Sequence, residues 1–362
     1  MRLFLSTALV ALATALPVAA LADAAARMSF EEALACVQRI VPASSYTTND
    51  LIPDPAHLVP DAPLAEPVHL RVGMPWVLND EQAPFYNAIA NGYYAEEGIE
   101  VELVAGGPGR NHIQTLAGGA VDIAVHASGI YIPQALTSPT PIENIVAVGS
   151  ILKGSPAVLL TIDPELQGRE LTPADLQGRV VAGAPFLQYM PIMMDRAGLP
   201  ADSVEVISAG FTPDILYTQG ADFYLGWVFN QTRDIEAKGH KWNGIMWRDF
   251  AFDNYTDVVI VNRSMLEDPA RREVAERFMR ATYRGLQFLV DEPRRSVEIA
   301  VEYSVDAPNL TVEDALFRFE RQKFLITGDD ASQPLMQMDP AFWDSNTAIL
   351  AQYGFTDTLN CE

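Results

Sequence analysis

Short apolar, β-branched runs alternate with stretches of helical period along this chain, and they do so in two consecutive blocks. "VHLRVG", "IEVELVAGG", "VDIAVHASG" and "ENIVAVGSIL" make the first block, with "PFYNAIANGYYAEEG" and "RNHIQTLAGG" between them. In the former, Phe85, Ile89 and Tyr93 recur every fourth residue and Gly98 supplies a helix stop. "RVVAGAP", "VEVISAG", "ADFYLGWVF" and "NGIMWRDFAF" make the second block, entered through "PAVLLTID". "TDVVIVNRSML" then returns, and the remainder reads as helix, with an apolar stripe through Val274, Phe278, Ala281, Gly285 and Leu289. Alternation of this kind implies mostly parallel sheets covered by helices on both faces. The order predicts an α/β chain that crosses out near Ala157–Leu160 and back near Val258–Val261. The first lobe would comprise residues 68–157 and 259–362, and the second 158–258. Two extended crossings make a hinge, and a cleft between lobes is where a ligand would sit. At 362 residues the chain is long enough for two such cores.

The ends carry separate signals. "MRLFLSTALVALATALPVAALA" has one Arg, an apolar run and a small-x-small site at Ala20–Ala22, so residues 1–22 read as a secretory signal peptide that places the mature chain in the periplasm. A buried N-terminal helix is the alternative. Beyond Ala22 no apolar run approaches the roughly 20 residues needed to span a bilayer. Residues 23–67 form an extension: "SFEEALACVQRIV" has Ser29 and Glu32 in capping-box positions, and the proline-rich stretch after it predicts an extended strap. The chain has two cysteines, Cys36 and Cys361. In an exported protein the pair suggests a disulfide joining the extension to the C-terminal end, two free thiols being the alternative. No His or Cys lies at ligand spacing, so neither a metal nor a cofactor is expected. The formal net charge of −23 argues against nucleic acid and anionic lipid as partners.

One region is specific enough to suggest a family. "WVLNDEQAPFYNAIANGYYAEEGIEVELVAGG", followed by "QTLAGGAVDIAV", resembles the substrate-binding proteins of ABC importers for nitrate, sulfonates and thiamine-precursor pyrimidines. It is most similar to the pyrimidine-precursor binders, which carry W-x-x-N-x-x-H-A-P-x-Y here. The similarity extends to "GWVFNQTRDIEAKG" and to the helix after Pro269, and omits the extension. The resemblance implies the type II periplasmic binding-protein fold, an inner-membrane ABC permease as partner, and a small aromatic heterocycle as ligand. By that pattern Trp76 and Asn79 end a strand, and Pro84 and Tyr86 start a helix. Gln82 replaces the usual His, and Asn230–Gln231 stands where relatives often have Asn-Glu. Both departures point to a less charged heterocycle or a different solute.

Each candidate has an ordinary structural reading beside the functional one. Trp76 either stacks on a ligand ring or packs between strand and helix. Asn79 and Gln82 either bind the ring edge or cap the helix. Tyr86 faces either cleft or core. Gly107, in "GGPGRN", either presents backbone N–H groups or makes a plain turn. Ser128 and Gly129 end a first-lobe strand; Phe186, Tyr189, Trp227 and Asn230 stand at strand ends of the second block. Their recurrence there favours a shared aromatic cleft. His112 and His126 lack a paired nucleophile or carboxylate and read as structural, and "RDFAFDNYTD" reads as a solvated acidic turn. The expectation is a monomeric solute-binding protein that captures a thiamine-precursor pyrimidine-like ligand by stacking and closure, without catalytic residues. Riboflavin or a sulfonate- or nitrate-type anion are alternative ligands. A pyrimidine synthase-like enzyme on the same fold is the alternative of another class. It would need an active His where Gln82 stands, and a cysteine-rich segment.

Overall fold

A computed structural model describes residues 27–328, 333–356, 359 and 361; the signal-peptide segment 1–22 lies outside the described residues. Among the described residues ten strands are arranged in two five-stranded sheets. They are β1 (Val68–Gly73), β2 (Ile99–Val104), β3 (Ile123–His126), β4 (Ile145–Leu152), β5 (Ala157–Thr161), β6 (Val180–Gly183), β7 (Glu205–Ser208), β8 (Phe223–Trp227), β9 (Asn243–Met246) and β10 (Thr256–Asn262). The first sheet has the order β2-β1-β3-β10-β4 and the second β7-β6-β8-β5-β9. These are the same pattern twice. In each sheet the strand received from the other side, β10 or β5, is inserted fourth and runs antiparallel to both neighbours. The remaining pairs, β1 with β2 and β3, β6 with β7 and β8, are parallel.

β5 and β10 can occupy these positions because "AVLLT" and "VVIV" are apolar on both faces, and their side chains are buried throughout. The stretches expected to be crossings are therefore internal strands. The crossings are the short segments just before them, residues 153–156 on the way out and 251–255 on the way back. They are tied together: the Ser155 backbone N–H donates to the Asp253 carboxylate at 2.7 Å, and Arg248 pairs with the same group at 3.3 Å. The acidic "RDFAFDNYTD" run is thus no solvated turn, since Asn254, Thr256 and Asp257 are buried as well.

Helix Pro269–Asp291 packs on helix Ala83–Ala90 so closely that a Cβ on Gly285 would lie 2.0 Å from the Pro84 carbonyl oxygen. Glu97 is fully buried beneath it and is held by Arg280 at 2.6 Å and Arg277 at 3.2 Å. The extension behaves as its residues suggest. Ser29 and Glu32 form a reciprocal capping box on helix Phe30–Ile40. Cys36 is bonded to Cys361 with Cα atoms 5.5 Å apart. The strap lies along the outer edge of β4, with Thr48 N–H on the Ala147 carbonyl and Ala147 N–H on the Tyr46 carbonyl, so that edge is not left open. One C-terminal helix departs from the expected packing. Helix Pro340–Gln352 serves both lobes: Trp343 and Ala348 join the outer core of the first sheet, and Ile349 and Leu350 join that of the second.

Candidate functional site

The two sheets point the carboxyl ends of their parallel strands at each other, and a cleft of about 350 Å³ lies between them. Pro75 and Trp76 line it after β1, Ala127 and Ser128 after β3, Ala184 and Phe186 after β6, and Tyr224–Trp227 from the end of β8. The antiparallel β5 and β10 bring their amino ends to the same place, contributing Ala157, Thr256 and Asp257. This is the crevice where open α/β sheets place ligands, because loops rather than strands fill the space beyond the sheet edge.

Trp76 is half-buried and reaches across the cleft mouth to Phe211 of the second lobe, with ring centroids 4.9 Å apart. Its backbone is fixed from behind. Its carbonyl accepts from the Gly106 N–H at 2.8 Å, and a Cβ at Gly106 would sit 2.2 Å from the Met74 carbonyl oxygen. Ser128 lines the cleft and its Oγ accepts from Asn254 Nδ2 at 3.1 Å. Phe186 lines it with its back against Tyr189 and Trp247. Trp227 lines it edge-on to Phe229, and Asn230 reaches over the gap, donating from Nδ2 to Glu81 Oε1 at 3.4 Å. Gln231, the amide where a carboxylate was expected by resemblance, shapes the wall. It accepts from the Trp227 N–H at 2.7 Å and donates to the Phe211 carbonyl at 3.1 Å.

The other candidates lie behind this surface. Asn79 caps a short 3₁₀ turn, Asp80–Gln82, by accepting from the Glu81 N–H. Gln82 is 1% exposed and Tyr86 is buried against Tyr303; Gln82 Nε2 and the Tyr86 hydroxyl have no hydrogen-bond partner among the described residues. Gly107 serves a turn that needs its positive φ of 125°. Gly129 is packed so tightly that a Cβ would lie 2.6 Å from the Trp343 ring. Tyr189 is fully buried and exchanges hydrogen bonds with Gln134.

Two acids emerge that the sequence reading passed over. Glu81 and Asp257 both line the cleft. Glu81 sits between Asn79 and Gln82, and the turn explains the switch. In a 3₁₀ turn, at about 3 residues per turn, positions i and i+3 share a face, so Asn79 and Gln82 look inward together, Asp80 is buried on Arg318, and Glu81 is left to line the cleft. Asp257 has a φ of 54°, a left-handed conformation that Asp tolerates better than most residues. Burial pushes the Glu81 carboxyl up to about 7, the nearby Asp80 charge adding to the effect and Arg318 opposing it. Burial, and then the Glu81 charge, hold the Asp257 carboxyl well above the ordinary range. None of the described residues lining the cleft is Lys, Arg or His. His126 lies just behind, its pKa lowered to about 4 by burial, and its Nδ1 faces the Ser128 carbonyl at 3.0 Å. Neither it nor His112 reaches the cleft. Among the described residues no group of three or more His, Cys, Asp or Glu could hold a metal ion.

Residues 79–296, more than half of the chain, match the family described as NMT1/THI5 like. The chain belongs to the NMT1/THI5-like family. Among curated relatives, the formylaminopyrimidine-binding protein of Halalkalibacterium halodurans is 26% identical over 238 residues, covering 64% of this chain and 69% of the relative. The riboflavin-binding protein RibY of Chloroflexus aurantiacus is 23% identical over 257 residues, covering 68% and 70%. Among solved structures, the periplasmic aliphatic sulphonate binding protein SsuA from Escherichia coli superposes with a TM-score of 0.57 at 14% identity, over 81% of this chain and 94% of that one. At that identity the likeness concerns the fold, and the shared architecture is that of periplasmic binding proteins. The twice-repeated strand order with exchanged fourth strands is its signature here.

Proposed function

We propose that the protein is the periplasmic solute-binding component of an ABC-type importer, and that it captures a small flat heterocycle of pyrimidine type between its two lobes. The observation that carries this reading is the cleft itself: four aromatic residues from three strand ends of both lobes, Trp76, Phe186, Tyr224 and Trp227, line one small space. Flat rings suit such walls, since offset and edge-on aromatic contacts each add about 0.5–1.5 kcal/mol beyond burial. A volume near the lower end of the usual range, about 300–1,000 Å³, favours a single-ring solute over a larger one. Trp76, Ser128, Phe186, Trp227 and Asn230 would touch the ligand. Asn79, Gln82, Tyr86, Gly107, Gly129 and Tyr189 would hold the walls that do.

In this reading capture breaks no bond. The ligand settles on one lobe, the other closes about the paired crossings, and an inner-membrane permease reads the closed shape. The chain acts as a monomer, exported by cleavage after Ala22. The test is to extract the protein mildly, release whatever has co-purified, weigh it, and titrate formylaminopyrimidine by calorimetry. One-to-one binding with the pyrimidine recovered unchanged is expected. A new compound formed in stoichiometric amount by the pure protein would replace capture with catalysis.

A further inference from the structure

The cleft is short of hydrogen-bond donors and of positive charge, and it is short of both at the same place. Asp257 is 7% exposed, its side chain lines the cleft, and no described residue donates a hydrogen bond to it. Glu81 is met by neutral amides and no cation, Asn79 beside it and Asn230 at 3.4 Å. Asn254, on the same wall, has an Oδ1 without a donor. A buried acceptor left without a donor costs about 1–3 kcal/mol, and more when charged. The neighbouring cations are engaged elsewhere. Arg318 is on Asp80 at 2.7 Å, Arg233 is on Asp314, and Arg248 is on Asp253 at 3.3 Å. The left-handed backbone at Asp257 belongs with this picture, since such strain is kept where a side chain must be aimed.

Resting on the capture reading above, we infer that the solute is an organic cation bearing N–H donors, an ammonium or amidinium on a flat ring, whose charge is held between Glu81 and Asp257. The aromatic walls suit it twice over: they stack on the ring and attract the cation through their π faces. A sulfonate or nitrate would meet two carboxylates and no cation. The departure at Gln231 is then compensated from the other lobe, because the negative charge missing from the second lobe is supplied by Glu81 and Asp257 of the first.

The groups facing the acids fix how binding follows pH. Asp80 with Arg318 and Asp314 with Arg233 lie beside Glu81, and Asp253 with Arg248 lies near Asp257. His126 behind Ser128 stays neutral above about 4, and Tyr224 is raised to about 12, so neither titrates near neutrality. The cleft carboxyl that changes between pH 6 and pH 8 is then that of Glu81, raised to about 7.

The test uses four probes on the full mature chain: an aminomethyl-pyrimidine, cationic at neutral pH, its neutral N-formyl counterpart, riboflavin and ethanesulfonate. The ammonium should bind at least tenfold tighter than the N-formyl form at pH 8, and less tightly at pH 6. Asp257→Asn, which Asn's own tolerance of positive φ allows to fold, and Glu81→Gln should each weaken binding of the ammonium far more than binding of the neutral form, and so erase that preference. Equal or tighter binding of the N-formyl form, riboflavin or ethanesulfonate overturns the cation inference and leaves capture standing. Unchanged preference in both variants also overturns it. Failure of all four probes to bind overturns the capture reading, and the inference with it.

Discussion

Trp76 lines the cleft, is only partly buried, and packs on Phe211 across the mouth rather than within either sheet's core. Trp76→Ala should therefore cost about 1–3 kcal/mol in ligand binding, the sum of lost burial and lost stacking. Its melting temperature should change little. A buried core Trp would instead lose about 3–5 kcal/mol of stability on truncation. Calorimetry of binding beside thermal melting of the empty protein separates the two; a large fall in melting temperature with unchanged affinity would place this ring in packing. Glu81 makes a prediction about pH. Its folded-state pKa is near 7, raised by burial above the ordinary carboxylate value. The folded state therefore favours the protonated form, and that contribution is complete below about pH 4.5 and is lost as pH rises through 7. The empty protein should lose about 2–3 kcal/mol from this group between pH 5 and pH 8. Glu81→Gln should flatten that stretch of the stability–pH curve, and an unflattened curve in the variant would assign the slope to other groups.

The elements were the most legible part of the chain in its sequence. β-branched runs marked the strands, glycines marked the helix stops, and Ser29 with Glu32 marked a capping box that forms. What the sequence hid were facings and displacements of a few residues. The 3₁₀ turn at Asp80–Gln82 turned Glu81 rather than its neighbours towards the cleft, because a tight turn changes which spacing shares a face. Composition alone made "RDFAFDNYTD" look solvated, yet Asn254, Thr256 and Asp257 in it are buried and Asp253 is tied to Ser155, because both crossings converge there. Among linkages, the Cys36–Cys361 bond closes a separation of 325 residues and pins helix Phe30–Ile40 to the C-terminal end beside helix Pro340–Gln352. A cross-link of this kind typically contributes about 2–4 kcal/mol by restricting the unfolded chain. Cys36→Ser with Cys361→Ser should lower the denaturation midpoint accordingly while leaving binding intact. Intact mass after alkylation, with and without reductant, checks the bond directly; two alkylated cysteines before reduction would refute it. Packing between elements offers a second check. Gly285→Ala should cost at least about 1–3 kcal/mol, because the new methyl overlaps the Pro84 carbonyl and backbone must move. Equal melting of variant and parent would show that the two helices can separate freely.

At the scale of the whole molecule, the two lobes are joined on opposite sides by interactions of different character. Behind the cleft the join is largely apolar: Ile349 and Leu350 of helix Pro340–Gln352 enter the core of the second sheet. It is reinforced where Asp195 receives both Arg27 at 2.9 Å and the Tyr353 hydroxyl at 2.6 Å. In front, the second-lobe helix Gln231–Ala237 meets the first-lobe helix Val312–Thr327 mainly through ion pairs, Arg233 with Asp314 and Arg321 with Glu236 at 2.7 Å. Partly exposed pairs of that kind are worth about 0.2–1 kcal/mol each and weaken with salt, whereas the apolar join behind does not. Opening should therefore break the front and pivot about the back. Arg233→Ala combined with Arg321→Ala should favour the open form. In small-angle scattering the variant should show a larger radius of gyration, and a co-purified or titrated pyrimidine should dissociate about 2- to 30-fold faster, the range that about 0.5–2 kcal/mol allows. High salt should move the parent protein in the same direction and the variant much less. Asp195→Ala, on the back side, should lower the melting temperature and leave the dissociation rate nearly unchanged. If the front variant keeps the parent's scattering curve and dissociation rate while the back variant alters both, the pivot lies at the ion pairs instead, and the clasp formed by the extension and the last helix is the part that opens.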